Sequence, residues 1–100
     1  MGPGRIRHTV AFTLRHAPGS PETESFLADG TRILTGIPGV EGFECLRQVS
    51  AKNPHQYGFS MEFADQDAYD AYDAHPDHQG FVQGRWLPEV TEFLEADFTA

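Results

Sequence analysis

The sequence has 100 residues, 39% of them hydrophobic and 12% aromatic, which is enough for one domain with one core and too little for two. Fifteen acidic and seven basic side chains give a formal net charge of −8, which argues against nucleic acids and anionic membranes as partners. The single cysteine, Cys45, rules out an internal disulfide, and the sequence predicts neither a signal peptide nor a membrane-spanning segment. These features predict a cytoplasmic protein.

The first predicted element is a strand over residues 6–15, which follows a flexible extension over residues 1–5. Small or polar residues alternate along this strand with four that share one face, namely His8, Val10, Phe12 and Leu14. Such period-2 alternation is typical of a half-buried strand. An amphipathic helix is predicted next over residues 21–35, because Ser20 can cap it and Pro21 can occupy its first position.

The remaining elements are predicted in order as strands over residues 40–50 and 56–64, helices over residues 65–75 and 76–86, and a strand over residues 89–98. The residue before a proline avoids the helical region, so His75 and Pro76 separate the two helices, and Pro88 is expected to end the second one. In the last strand, alternation predicts that one face carries Val90, Leu94, Ala96 and Phe98 and the other Thr91, Phe93, Glu95 and Asp97.

The element order β-α-β-β-α(α)-β predicts a single α+β domain over residues 1–100, with a four-stranded antiparallel sheet and its helices on one face, the ferredoxin-like arrangement. The other face of such a sheet has no cover. The third strand carries apolar or small residues on both faces apart from Glu62, so an uncovered face would be a large exposed patch. The sequence therefore predicts a homodimer through the open sheet face.

The densest group of chemically useful side chains is the stretch Tyr69-Asp-Ala-Tyr72-Asp-Ala-His75-Pro-Asp-His78. Tyr69 and Tyr72 lie three residues apart on one helical face. His78 falls in the first turn of the following helix, where the positive end of the helix dipole favours neutral imidazole. A neutral histidine can act as a general base, and a nearby phenol can hold a carbonyl or enolate oxygen.

Two other interpretations of these histidines remain open. They can satisfy backbone groups at the helix junction, which is the expected role of His75. They can also form a partial metal site together with Asp77 or His55, although no clear third ligand is present and no metal is predicted.

Five segments carry a resemblance to a known family, in the family's order and over nearly the whole chain: 7–14, 36–40, 59–65, 71–78 and 96–98. The most specific of them is Tyr-x-x-His-Pro-x-His at residues 72–78. The sequence resembles the stress-responsive A/B-barrel (Dabb) family. This resemblance implies a ferredoxin-like subunit whose sheet packs face to face against that of a second copy, as a dimeric α/β barrel.

The resemblance also implies a chemistry, because the best-understood enzymes of the family resemble plant olivetolic acid cyclase. Such enzymes fold a linear poly-β-ketone by intramolecular aldol condensation, without a cofactor. On this resemblance His78 is the general base, Tyr72 binds or polarises the substrate, and His8 and Asp97 line or buttress the pocket.

Strand parity and helical phase predict further substrate-binding side chains around the pocket, namely Val10, Phe12, Phe26, Phe59, Met61, Phe81 and Trp86. A pocket lined by such rings suits a small aromatic or polyketide-like carbonyl compound, although the same residues also fit plain core packing. Two alternatives to a cyclase-type enzyme stay open. One is a non-catalytic, stress-associated homodimer that binds a small organic ligand, and the other is a dimeric α/β-barrel monooxygenase that uses Trp86 and Tyr72.

Overall fold

The computed structural model describes residues 2–100. Its elements in chain order are β1 (Ile6–Leu14), α1 (Pro21–Thr35), β2 (Glu41–Arg47), β3 (Tyr57–Phe63), α2 (Gln66–Ala74), α3 (Pro76–Phe81), a π-helical turn (Val82–Trp86), α4 (Leu87–Glu89) and β4 (Val90–Thr99). The strands form one antiparallel sheet in the order β2-β3-β1-β4. The predicted ferredoxin-like α+β fold is confirmed. Of the extension predicted over residues 1–5, Met1 lies outside the described residues.

Helix α1 begins and ends where the sequence predicts. The Ser20 hydroxyl accepts a hydrogen bond from the Thr23 backbone N–H at 3.2 Å, and Pro21 occupies the first helical position, where no backbone donor is needed. Gly36 caps the other end, with its N–H directed at the carbonyls of Ile33 and Leu34. Local capping chemistry alone therefore fixes these bounds.

The core lies between the inner face of the sheet and the helices. Alternate residues of β1 are buried from His8 to Leu14, and four phenylalanines are almost fully buried, namely Phe12, Phe26, Phe59 and Phe63. The rings of Phe12 and Phe59 lie 4.8 Å apart between their centroids on neighbouring strands. Aromatic side chains thus supply most of the buried apolar volume that holds the helices on the sheet.

Strand β4 carries a bulge that changes the face of one predicted residue. Thr13 pairs with Glu92 but Leu14 pairs with Val90, so Thr91 is an extra residue in β4. Val90 therefore lies on the inner face with Leu14 and packs against the core. The prediction that Val90 shares a face with Leu94 is wrong, because the bulge reverses the alternation at this point.

The helical segment that starts at Pro76 continues beyond its predicted end at residue 86. It passes from α3 into the π-helical turn and then into α4, which includes Pro88 and ends at Glu89. The prediction that Pro88 ends the helix is wrong. Pro88 lies in the first turn of α4, where a missing backbone N–H is tolerated.

The face of the sheet away from the helices, called the open face below, is partly apolar. Its residues include Arg7, Thr9, Ala11, Leu46, Ser60, Glu62, Leu94, Ala96 and Phe98. Leu46, Leu94 and Phe98 are exposed. The longest helix has 15 residues, and no helix within residues 2–100 has both the length and the apolar character to cross a bilayer.

Candidate functional site

A cavity of about 230 Å³ lies between the inner face of the sheet and the helices α1, α2 and α3 with the π-helical turn. Aromatic rings form much of its wall, namely Phe59, Tyr72, Phe81, Trp86 and Phe93. Leu87, Phe93 and Glu95 also line it and are exposed, so its mouth opens beside the edge strand β4. The cavity is thus a largely apolar pocket with a few polar groups, the usual form of a small-molecule site.

His78 stands in this wall with its ring oriented by the main chain. Its Nδ1 lies 3.0 Å from the backbone carbonyl oxygen of Asp73, and since a carbonyl can only accept, Nδ1 is the donor. In the neutral ring the Nε2 atom then carries the lone pair. The side chain is 16% exposed, so it is only partly accessible to solvent. This arrangement leaves one nitrogen of His78 free to accept a proton.

Tyr72 packs against His78 and is almost completely buried. The two rings lie 4.5 Å apart between centroids, and the tyrosine is 2% exposed. Burial, followed by the charges of Asp73 and Glu95, raises the pKa of Tyr72 well above its ordinary value, so its hydroxyl stays protonated and can donate. That hydroxyl forms no hydrogen bond with another residue of the described chain, although Tyr72 lines the cavity.

His8 stands on the strand side of the cavity and is held by carboxylates. Its Nδ1 lies 2.5 Å from Asp97 Oδ1 and 3.7 Å from Glu95 Oε1. The hydroxyl of Tyr69 lies 3.3 Å from the same nitrogen and 3.4 Å from Glu95 Oε1. Burial, and after it the neighbouring Asp97 carboxylate, raises the pKa of Tyr69 far above its ordinary value. Tyr69, His8 and the two carboxylates therefore form one hydrogen-bonded group.

Within residues 2–100, His8, Glu95 and Asp97 are the only group of three or more His, Cys, Asp or Glu side chains close enough together to hold one metal ion. The ligand atoms of His8, Glu95 and Asp97 lie within 4.8 Å of one another. Both carboxylates are exposed, and His8 Nδ1 already has Asp97 as its partner. The partial metal set considered from the sequence is not brought together, because His55 bonds Thr13 on β1 and His75 bonds the backbone N–H of Asp77.

The structure brings eight of the predicted site residues together at the cavity: His8, Val10, Phe59, Met61, Tyr72, His78, Phe81 and Trp86. Phe12 and Phe26 are fully buried in the core and do not line it. Asp97 lies behind His8 rather than in the wall. His75 serves as the N-cap of α3, in line with the structural role expected from the sequence.

Sequence reasoning missed several wall residues and one partner of His8. Asp73, Leu87, Phe93 and Glu95 line the cavity, and Tyr69 contacts His8. Tyr69 and His8 are 61 positions apart, so helical spacing could relate Tyr69 only to Tyr72. The parity of β4 did place Phe93, Glu95 and Asp97 on one face, and that signal points to the cavity once the strand order is known.

Comparisons with known proteins give a consistent family. A family model described as "Stress responsive A/B Barrel Domain" matches residues 6–100. A crystal structure of a Dabb family protein with a ferredoxin-like fold from Mesorhizobium loti is 57% identical, with a TM-score of 0.96 and 97% of each chain covered. None of the curated proteins matches the sequence.

Two more distant solved structures share the fold. A dimeric ferredoxin-like protein of unknown function from Thermobifida fusca is 19% identical, with a TM-score of 0.79, covering 98% of this chain and 92% of that one. SnoaB, a cofactor-independent oxygenase from Streptomyces nogalater, is 22% identical, with a TM-score of 0.73, covering 97% of this chain and 93% of that one. At these identities the likeness shows the fold alone.

Proposed function

The chain belongs to the stress-responsive A/B barrel domain family, and from this premise we propose that it is a cofactor-independent, cyclase-type enzyme acting on a small polyketide-like carbonyl compound. One observation carries the proposal. His78 is oriented by the main chain with its free nitrogen available, and it packs against Tyr72 in the wall of an aromatic cavity. A base and a hydrogen-bond donor on one wall are what removal of a proton next to a carbonyl requires.

In the proposed reaction His78 Nε2 takes a proton from the carbon next to a substrate carbonyl. The electron pair of that C–H bond moves into the enolate, whose oxygen accepts a hydrogen bond from the Tyr72 hydroxyl. The enolate carbon then attacks a second carbonyl of the same molecule and forms a C–C bond, and the resulting alkoxide takes the proton back from His78. Protons and electrons balance without a metal ion or a redox cofactor.

The burial of Tyr72 suits it to the second role. Its raised pKa keeps the phenol protonated, so that it donates to an enolate oxygen instead of competing with His78 for the substrate proton. In a cavity with a largely apolar wall such a hydrogen bond strengthens as negative charge develops on the oxygen. His8, which is held by Asp97 and has its ring centroid 6.1 Å from that of Tyr72, is proposed to support the second carbonyl.

The proton-transfer step can be tested without the natural substrate. In D₂O, 4-phenylbutan-2-one exchanges its α-protons slowly, and ¹H NMR follows the loss of their signal. The protein is expected to accelerate this exchange. His78→Gln should lower the acceleration by about 100-fold or more and Tyr72→Phe by about 10-fold or more, whereas His55→Gln, which changes a histidine outside the cavity, should keep it.

The alternatives have their own signatures in this experiment. An exchange rate equal to that of buffer, or one that His78→Gln leaves unchanged, would refute the proposed role of His78. Ligand-induced change in Trp86 fluorescence without exchange would favour a non-catalytic, stress-associated binding protein. Oxygen uptake with a phenolic probe would favour the monooxygenase alternative, which is considered because SnoaB, a cofactor-independent oxygenase, has the same fold.

We further propose that the open face pairs with that of a second copy to form a homodimer. The exposed Leu46, Leu94 and Phe98 support this pairing, since a stable interface buries apolar side chains of this kind. The charges at one end of this face are paired within one protomer, because Arg5 and Arg7 both bind Glu62 and Arg5 also binds Glu41. The dimeric state of the Thermobifida fusca structure agrees with it. A cytoplasmic location is also proposed, since the free and exposed Cys45 suits a reducing compartment.

A further inference from the structure

We propose that the cavity selects organic cations, that is, ligands which join an aromatic or alkyl body to a protonated amine, and that it rejects carboxylates. This inference rests on the cavity being the ligand site of the proposed function and concerns the charge of its ligand. The observations that carry it are the charges in the wall, the aromatic rings beside them and the hydroxyl of Tyr72, which is accessible from the cavity.

Two carboxylates line the cavity from different elements. Asp73, at the end of α2, has Oδ1 3.9 Å from His78 Nδ1, and Glu95, on β4, has Oε1 3.7 Å from His8 Nδ1. Asp97 stands behind His8 as a third negative charge. No lysine or arginine is among the lining residues, and the guanidinium of Arg85 is occupied by Asp29 and Glu89. The wall therefore offers negative charge without a permanent positive charge.

The histidines do not reverse this balance. If His8 is protonated, its charge is opposed by Asp97 and Glu95 together, and Asp73 remains beside His78. His78 must be neutral to serve as the proposed base. A carboxylate ligand would thus meet two or three negative groups and no permanent cation to pair with.

The rest of the wall fits the remaining parts of such a ligand. Trp86 and Phe93 meet edge to face with their centroids 5.6 Å apart, and aromatic faces attract organic ammonium groups. Tyr72 is 2% exposed as a whole residue and lines the cavity. Its hydroxyl is not among the buried side-chain atoms that lack a partner, so it is accessible and can hydrogen-bond a polar group of a ligand in the cavity.

The test uses three probes of the same size, 3-phenylpropylamine, 3-phenylpropan-1-ol and 3-phenylpropionate, at pH 8. Trp86 is the only tryptophan of the chain and lines the cavity, so its fluorescence reports binding there. We expect the amine to bind about 10-fold more tightly than the alcohol, and 3-phenylpropionate to bind more weakly than both. The difference is no larger because Asp73 and Glu95 are partly exposed, so that solvent screens their charges. Adding 0.5 M NaCl should narrow the differences.

Two variants separate the local charges from the net charge of the molecule. Asp73→Asn combined with Glu95→Gln should bring the affinity for the amine to within about 2-fold of the affinity of the same variant for the alcohol. Asp70→Asn changes the net charge like Asp73→Asn, but its exposed side chain bonds Gln66 outside the cavity, so the order of affinities should remain.

Each outcome decides the matter. A carboxylate probe that binds as tightly as the amine overturns the inference, and so does an absence of binding by all three probes. An amine preference that the double variant does not reduce also overturns it, because the wall carboxylates would then not be its cause. Preference for the amine together with no acceleration of α-proton exchange supports the inference and refutes the proposed enzyme function alone.

Discussion

Gly30 lies where helix α1 crosses over two aromatic side chains of the cavity wall. A Cβ atom at this position would lie 2.8 Å from Phe59 Cζ and 3.2 Å from Phe81 Cζ. Both rings are buried, and both line the cavity. A glycine inside a helix costs stability relative to alanine, and here the close approach of the helix to the rings explains its presence.

We expect Gly30→Ala to destabilise the protein. Overpacking of a core costs about 1–3 kcal/mol, and the helix propensity of alanine returns about 1 kcal/mol, so the free energy of unfolding should fall by about 1 kcal/mol. The matched control is Gly80→Ala in α3, where a Cβ would meet no atom within 4 Å and a gain of about 0.5–1 kcal/mol is expected. Urea unfolding measures both, and equal gains for the two variants would contradict the packing argument.

At the scale of secondary structure, one arginine links the helical segments after α2 to α1, in addition to the aromatic contacts between them. Arg85 in the π-helical turn donates from Nε to Glu89 Oε2 and from Nη1 to Asp29 Oδ2, both at 2.5 Å. His16, just after β1, bonds the other oxygen of Glu89 at 2.8 Å. The network thereby fixes the turn that carries Trp86 into the cavity wall.

Replacing Arg85 by methionine should lower the free energy of unfolding by about 1–3 kcal/mol, because it removes the charged donor that two partly buried carboxylates, Asp29 and Glu89, share. Arg32 also contacts Asp29, but its side chain is 71% exposed, and Arg32→Gln should change stability by less than about 0.5 kcal/mol. Thermal and urea unfolding of the two variants show whether the ion pairs of Arg85 stabilise the fold more than the exposed ion pair of Arg32 does. Similar losses for both would show that the contact of Arg85 with Glu89 adds nothing.

The same network predicts a pH dependence. Burial raises the pKa of Glu89, but the hydrogen bonds from Arg85 and His16 outweigh it, so that the pKa of Glu89 in the folded state lies below its ordinary value. A carboxyl group of this kind stabilises the fold at pH values above its ordinary pKa, and the contribution disappears as the pH falls through the folded-state pKa.

The difference in stability between the wild type and Glu89→Gln should therefore be largest near pH 7 and should shrink progressively below about pH 5. Urea unfolding between pH 7 and pH 3 measures this difference. The exposed Asp70→Asn serves as control and should show little difference at any pH. A stability difference for Glu89→Gln that stays constant over this range would refute the linkage.

At the scale of the whole molecule, the proposed pairing through the open face makes a direct prediction. Sedimentation at micromolar concentration should give twice the 11.1 kDa mass of the chain. Leu94→Glu places a charge on that face in both copies and should raise the dissociation constant by at least about 100-fold. Val49→Glu, at a 91% exposed position beyond the end of β2, should leave the mass unchanged. A monomeric wild type, or a dimer that tolerates Leu94→Glu, would refute this pairing.

Much of the architecture could be predicted from the sequence because its signals are local. The cap at Ser20, the alternation of β1 and the break at His75–Pro76 each depend on a few neighbouring residues. The two errors have a common cause. The face of Val90 depends on a bulge against β1, and the helical continuation through Pro88 depends on the π-helical turn, and neither leaves a local signal.

The candidate site shows the same division. His78, Tyr72 and His8 could be selected from a motif and from strand parity. The contact of Tyr69 with His8, and the depth of Phe12 and Phe26 below the cavity, depend on how the helices lie across the sheet. Aromatic residues on the inner face look alike in the sequence, whether they end in the core or in the wall of a cavity.

The hydrogen bond that orients His78 comes from the peptide carbonyl of residue 73 and not from its side chain. Any amino acid that keeps α2 helical at that position supplies the same acceptor. Substitution of Asp73 can therefore alter the charge of the cavity wall while His78 keeps its tautomer and direction. Under the proposed function, a single substitution at position 73 changes the ligand preference of the site and leaves the orientation of the proposed base intact.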